Sequence, residues 1–292
     1  MDRDGDSRRN AKAGSHSGSN LRSPSGIQRH LARVWDSGYA VVSARAISLS
    51  GRGVMLSASR WVLLALIELT SDVYSYWHGA TMHTSQHKAL ELRIRQVGPW
   101  SLNAYALICP QTRESLLIDP GDDPAALTEL LTGTRPRSIL VTHGHPDHIG
   151  ALGAMRRKLD VPVLSHGGDG NGPVVADRWL ADGDQLAIGC GALRVHHTPG
   201  HTADHLCFAI EGDCRILVGD CLFEGGPGKT WSAQDFRTTL QTLQDIILGW
   251  PDESVCYPGH GRSFRLGAIR PAIERFLAKA HGPFHGDAEW GM

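Results

Sequence analysis

The 292-residue chain is 41% hydrophobic and 20% charged, enough to bury a core and ordinary for one large globular domain or two smaller ones. Lys and Arg (29) nearly balance Asp and Glu (30), so charge argues for no polyanionic partner. Six cysteines, Cys109, Cys190, Cys207, Cys214, Cys221 and Cys256, include no C-x-x-C pair, which suggests neither a disulfide framework nor a zinc ribbon and makes a reducing cytoplasm the default compartment.

Residues 1–60 carry Lys12 and nine arginines against four aspartates, with the runs S-H-S-G-S-N and S-P-S-G, a composition that repays little of the entropy of ordering. Residues 1–90 are therefore expected to form a loose extension, with Met55 and Met82 as alternative starts. The rival reading is a basic arm that binds nucleic acid or membrane. The apolar run 61–67 is bounded by Arg60 and Glu68 and is far too short to span about 30 Å of hydrocarbon. No small-residue cleavage site follows it, so a secretion signal is not expected either.

From Glu91 the texture changes. L-R-I-R-Q-V (92–97), N-A-Y-A-L-I-C (103–109) and S-L-L-I-D (115–119) read as strands closed by turn residues. P-A-A-L-T-E-L-L (124–131) has helical spacing with proline at its first position. S-I-L-V-T (138–142) is a short buried strand, and 149–159 reads as a helix whose Arg156, Arg157 and Lys158 suit the negative end of its dipole. Q-L-A-I-G (185–189), L-R-V-H-H-T (193–198), H-L-C-F-A-I (205–210) and R-I-L-V-G-D (215–220) are further strands. An amphipathic helix over 233–248, a strand D-E-S-V-C-Y (252–257) and a last helix over about 269–280 complete the pattern. The expected class is α/β, layered sheets with helices outside, over a domain spanning 91–285.

Polar ligand-type residues gather at strand ends in five places: L-I-D-P-G (Asp119), H-G-H-P-D-H (143–148), T-P-G-H-T (His201), V-G-D-C (Asp220) and Y-P-G-H-G (His260). Glycine and proline flank nearly every one, as sharp turns that aim side chains at a common centre require. Imidazole and carboxylate donors suit Zn²⁺, Fe²⁺ or Mn²⁺, and the absence of sulfur from the set argues against Cu(I) or an iron–sulfur cluster. Seven such groups exceed the needs of one tetrahedral ion; two ions about 3.5–4 Å apart, sharing a carboxylate, would use them all.

The series H-x-H-x-D-H, T-P-G-H-T, G-D and P-G-H-G resembles the metallo-β-lactamase superfamily, and G-D-C-L-F-E-G-G-P-G-K-T is most similar to its glyoxalase II (hydroxyacylglutathione hydrolase) branch. The resemblance covers about residues 91–280 and implies a four-layer αββα sandwich with two divalent metal ions at one edge, Zn²⁺ favoured. It implies that His143, His145 and His201 bind the first ion, that Asp147, His148 and His260 bind the second, and that Asp220 bridges them. Asp119 would orient a ligand from behind. His197 competes with His201 as a ligand and is ranked below it, while His166, His196 and His205 are read as strand or loop residues. Cys221 is read as a buried core thiol, its side chain pointing away from that of Asp220 along the strand.

A metal lowers the pKa of bound water from about 15.7 to about 7, so hydrolysis is the expected chemistry, with Asp147 orienting the attacking group. No G-x-S-x-G nucleophile is present. The expected substrate is a small molecule, a thioester, lactone or related acyl compound, with neither nucleic acid nor membrane as partner. By the resemblance, Lys229 matches a basic residue that contacts glutathione; Tyr105 and Tyr257 are further candidate pocket residues. Only 32 residues follow His260, so the helical C-terminal domain of glyoxalase II is not expected, and Y-P-G-H-G-R-S-F departs from that branch's motif. Rival readings are an iron-dependent persulfide dioxygenase, which shares the ligand set, a non-catalytic metal-binding module, a β-lactamase and an RNA-cleaving enzyme.

Overall fold

The computed structural model describes residues 89–167 and 172–292. The extension expected over 1–90 lies, apart from its last two residues, outside the described residues. One sheet carries β1 (Glu91–Val97), β2 (Leu102–Ile108), β3 (Glu114–Ile118), β4 (Arg135–Leu140), β5 (Val163–Ser165) and β6 (Arg178–Trp179) side by side in chain order. β1 to β3 pair antiparallel and β3 to β6 parallel. The second sheet holds β7 (Gln185–Ile188), β8 (Gly191–His197), β9 (Leu206–Ile210), β10 (Arg215–Gly219), β11 (Val255–Pro258) and β12 (Phe264–Arg265). Only the β10–β11 pairing is parallel in that sheet.

Alternation along the strands builds the layers. Leu107 of β2 and Leu116 and Ile118 of β3 meet Leu206, Phe208 and Ile210 of β9 in a core between the sheets. The intervening Ala104, Ala106, Ile108 and Leu117 face outward onto Leu127, Leu130 and Met155 of the helices on that side. Beyond the second sheet, Cys207, Ile216 and Val218 pack on Phe236, Leu243, Ile273 and Phe276. Strands buried on both faces read as nearly continuous apolar runs, and each fully buried large side chain contributes about 1.5–3 kcal/mol. The result is the expected αββα sandwich.

Helix α1 (Pro124–Leu130) is capped by Asp123, whose Oδ1 accepts the Ala126 N–H at 3.1 Å. The helix expected over 149–159 is instead two pieces, α2 (Pro146–Ile149) and α3 (Leu152–Leu159). Between them the Ala151 N–H donates to the carbonyls of Pro120 and Gly121, and a Cβ on Gly150 would lie 2.3 Å from the Gly121 oxygen. The backbone keeps right-handed helical dihedrals at Gly150 and Ala151, but the ladder is interrupted there by bonds to the L-I-D-P-G turn. Helix α4 (Ala233–Asp245) starts at Ser232, whose Oγ accepts the Asp235 N–H. It ends before the expected 248, giving way to a 3₁₀ turn over Ile247–Gly249. Helix α5 (Leu266–Leu277) begins three residues earlier than expected, because Ser254 and Asp252 carbonyls accept the N–H groups of Leu266 and Gly267. The short strands β5, β6 and β12 carry too few residues to show a period.

Packing continues past the expected domain end at 285. Gly286 pairs with Thr230 through backbone hydrogen bonds, and Ala288 and Trp290 are buried against the α5 side of the second sheet. Among the described residues, no helix is long and apolar enough to cross a membrane.

Candidate metal centre

Parallel strands deliver their C-terminal ends to one edge, and that is where the polar residues lie. Asp119 follows β3, residues 143–148 follow β4, Asp220 follows β10 and His260 follows β11. His201 comes from the β8–β9 turn. The sharp exits need glycine at particular places: Gly219 has φ +47° and a Cβ there would sit 2.8 Å from His205 Nε2. A Cβ on Gly259 would lie 2.2 Å from Asp220 Oδ1.

The seven expected ligands converge into three overlapping groups, each with its donor atoms within 4.8 Å of one another: His143, His145 and His201; His143, His148 and Asp220; Asp147, His148 and His260. His145 Nδ1 lies 3.0 Å from His143 Nε2 and 2.9 Å from His201 Nε2. His260 Nε2 lies 3.1 Å from Asp147 Oδ2. Asp220 stands between the two ends, with Oδ1 3.4 Å from His148 Nε2 and Oδ2 3.7 Å from both His201 Nε2 and His260 Nε2.

Groups behind the imidazoles set which nitrogen faces inward. The Lys229 carbonyl, 2.7 Å from His201 Nδ1, can only accept, so Nδ1 holds the proton and Nε2 presents a lone pair to the centre. The Trp100 carbonyl does the same for His260 at 3.0 Å. Asp119 Oδ2 sits 3.0 Å from His148 Nδ1, and Asp119 is itself held by the Thr142 N–H at 2.7 Å and the Thr142 hydroxyl at 2.8 Å. Asp119 thus contacts the His148 ring at the nitrogen opposite the one nearest Asp220.

Burial drives His143 well below its ordinary pKa, and also lowers His145 and His201, so these rings are neutral donors. Burial opposes ionisation of Asp220, yet His148, His201 and His260 together hold its carboxyl lowered to about 2. At His148 the two carboxylates Asp119 and Asp220 outweigh burial and raise it to about 10. His148 Nε2 and Asp220 Oδ1 are both buried without a hydrogen-bond partner, an arrangement that costs free energy unless something else contacts them. The close-set neutral nitrogens of His143, His145 and His201, an ionised carboxylate and the orphaned His148 Nε2 and Asp220 Oδ1 fit a pair of divalent cations.

Three contributions escape a reading by motif. His205, read as a strand or loop residue, is fully buried; its Nε2 accepts the Asp220 N–H at 3.0 Å and its Nδ1 meets Thr198 Oγ1 at 2.8 Å. Thr142 holds Asp119 and also touches His143 Nδ1 at 3.0 Å. Asn103 Nδ2 donates to the carbonyls of Pro258 and Gly261, strapping the turn that carries His260. The available signal was a polar residue capping an apolar run, which many turns share.

His197 does not join the centre: its Nε2 meets the Ala203 carbonyl at 2.9 Å and its ring stacks on His166. His196 packs beside Trp250. Cys221 is buried in the core beyond the second sheet, as a core thiol.

A cavity of about 720 Å³ opens onto the centre, lined by Trp100, Asp147, Phe223, Lys229, His260 and Asp287 among others. Lys229 Nζ lies on this wall, 3.2 Å from Asp287 Oδ2 and over the Trp231 ring. Tyr105 and Tyr257 do not line the cavity. Tyr105 is on the inward face of β2, buried to 2% exposure, and donates to the Pro258 carbonyl at 2.6 Å; Tyr257 packs edge-on against it. Burial and the nearby Asp119 carboxylate push the Tyr105 phenol far above its ordinary pKa, so it stays a donor. Tyr105→Phe is expected to lower stability by about 1 kcal/mol in urea unfolding, with KM unchanged. A raised KM at unchanged stability would put the phenol back in substrate contact.

An αββα sandwich with three overlapping groups of His and Asp ligands at one edge defines a metallohydrolase type of site. The family model described as the Metallo-beta-lactamase superfamily matches residues 97–260, and the chain belongs to that superfamily. A hydroxyacylglutathione hydrolase of Anaeromyxobacter dehalogenans is 38% identical over 176 residues, covering 58% of this chain and 66% of that relative, so the chain spans just under two thirds of its length. Among solved structures, TTHA1623 in a di-iron-bound form is 31% identical with a TM-score of 0.54, covering 61% of this chain and 96% of that one. The BLEG-1 B3 metallo-beta-lactamase is 28% identical with a TM-score of 0.57, covering 65% of this chain and 100% of that one.

Proposed function

We propose that this protein hydrolyses a thioester, lactone or related acyl compound at a dinuclear centre held by His143, His145, His201, Asp147, His148, His260 and Asp220. The observation that carries the reading is the position of Asp220, within 3.4–3.7 Å of nitrogens from both ligand groups at the mouth of the cavity. Similarity to a hydroxyacylglutathione hydrolase supports a thioester substrate. When bound, the ions supply Lewis acidity and a water made acidic enough to attack at neutral pH.

The chain's own residues do the remaining work. Asp147 lines the cavity with a carboxylate that accepts hydrogen bonds, and it orients the attacking water toward the acyl carbon. Trp100 and Phe223 form apolar walls that displace solvent from the substrate. Lys229 offers a cation to an anionic tail of the substrate, in competition with Asp287. Lys229→Ala is accordingly expected to raise KM for an anionic thioester about tenfold with little change in kcat, and Asp287→Asn to lower KM. Equal KM values across the three proteins would remove Lys229 from recognition.

Zn²⁺ is the favoured metal. A second reading, oxidation of a persulfide at a single iron, rests on the same ligand residues; the di-iron-bound TTHA1623 supports only that a site of this type takes iron. The decisive experiment measures metal per chain in protein purified from cells, and turnover of S-lactoylglutathione, simple thioesters, lactones and a β-lactam beside oxygen uptake on glutathione persulfide. Two ions with thioester or lactone hydrolysis is the expected result. One iron per chain with oxygen uptake and sulfite release would replace it with the second reading.

A further inference from the structure

At the edge opposite the metal centre two free thiols, one from each sheet, face each other. Strand β2 begins at Leu102, whose backbone pairs with His260, and runs away from it for seven residues, so Cys109 just past its end lies at the far edge. Cys190 sits in the tight turn between β7 and β8 of the other sheet. The two Sγ atoms are 3.3 Å apart, and both thiols are free.

Several features bring these sulfurs together and favour the thiolate at Cys109. Gly189, with φ +55°, lies directly on Cys109: a Cβ there would be 2.4 Å from Cys109 Sγ and 2.4 Å from Thr112 Oγ1. A residue without a side chain lets the turn close onto the first sheet. The N–H groups of Thr112 and Cys190 both donate to Cys109 Sγ at 3.4 Å, and the Gln111 side-chain carbonyl lies 2.9 Å from Cys190 Sγ. Donors converging on sulfur favour its thiolate. Burial opposes ionisation of Cys109, but the Thr112 side chain, the N–H groups of Thr112 and Cys190 and the Cys190 thiol bring it down to about 6, while the Cys109 sulfur raises Cys190. Cys109 is buried, whereas Cys190 is partly exposed at a cleft of about 570 Å³ also lined by Leu90 and Gly191.

We propose that Cys109 and Cys190 form a redox-active dithiol that exchanges with small-molecule disulfides and closes a covalent bond between the two sheets. Cys190 loses its proton to solvent and attacks one sulfur of the small disulfide, whose S–S bond breaks to release a thiolate that takes up a proton from solvent. Cys109 then attacks the Cys190 sulfur of the mixed disulfide and expels the second small thiolate. The protein loses two electrons and one small disulfide becomes two thiol equivalents. A disulfide bond of about 2.05 Å requires the sulfurs to approach by little more than roughly 1 Å.

The test incubates the reduced full chain with bis(2-hydroxyethyl) disulfide and maps its peptides by mass spectrometry without reduction. The expected product is a Cys109–Cys190 crosslink with no adduct retained on either residue. Exposed Cys214 is expected to react at least ~10-fold more slowly and to keep its adduct. In Cys109→Ser the adduct is expected to stay on Cys190, and in Cys190→Ser, or Cys190→Ala should the first fold poorly, Cys109 is expected to remain reduced. A stable adduct on Cys190 of the unmutated chain, or equal rates at Cys190 and Cys214, would overturn the proposal.

Discussion

Asp220→Ala is expected to reduce turnover on the order of 10³-fold or more and to lower tightly bound metal below two ions per chain. The carboxylate is buried, ionised by three histidines, and set between nitrogens of both ligand groups. Without it, Asp147 would be the one carboxylate left among the seven candidate ligands, and the mutual repulsion of two cations held there would be less screened. Asp220→Asn keeps the shape and loses the charge, so it is expected to resemble Asp220→Ala in metal content. Elemental analysis together with steady-state kinetics reads both effects. Parental metal content and rate in either variant would refute the bridging role.

Asp119→Asn is expected to weaken metal retention 10- to 100-fold, measured by competition with a chelator, although Asp119 lies behind His148 on the side away from the cavity. The carboxylate accepts from the Thr142 N–H, the Thr142 hydroxyl and His148 Nδ1. An amide can keep its oxygen toward the Thr142 N–H, but its NH₂ then meets His148 Nδ1, a donor facing a donor. Either the ring turns, and Nε2 leaves the centre, or the proton moves to Nε2 and blocks the lone pair. The buried mismatch also costs about 1–3 kcal/mol, which thermal unfolding would register. Unchanged chelator competition would show that His148 needs no orienting partner.

Much of this centre was legible residue by residue. His143, His145, Asp147 and His148 stand within one turn, and T-P-G-H-T, V-G-D-C and Y-P-G-H-G each mark a strand exit by their glycine or proline. The buttresses were not legible in the same way. His205 looks like the polar start of an apolar strand, and only the fold reveals that its ring accepts the Asp220 N–H. Tyr105 looks like a pocket aromatic because it is near the motifs in sequence pattern, yet the pleat turns it inward under Pro258. The break at Gly150 in an otherwise helical pattern depends on a carbonyl from the L-I-D-P-G turn, which no local propensity contains. Beyond the domain expected over 91–285, the tail supplies Asp287 to the cavity wall and Trp290 to the core.

Donor identity, their order along the chain, the turns that present them and the layered α/β class were written in local composition, because strand periodicity and turn chemistry depend on near neighbours. Which carboxylate stands between the ligand groups, which groups lock each imidazole's tautomer and which sulfurs meet across the sheets were decided by tertiary structure alone. His260 and Asp147 are 113 positions apart, and Asn103 and Gly261 are 158 apart. Contacts at such separations follow from sheet register and from the packing of one sheet on the other, quantities that no short segment encodes by itself.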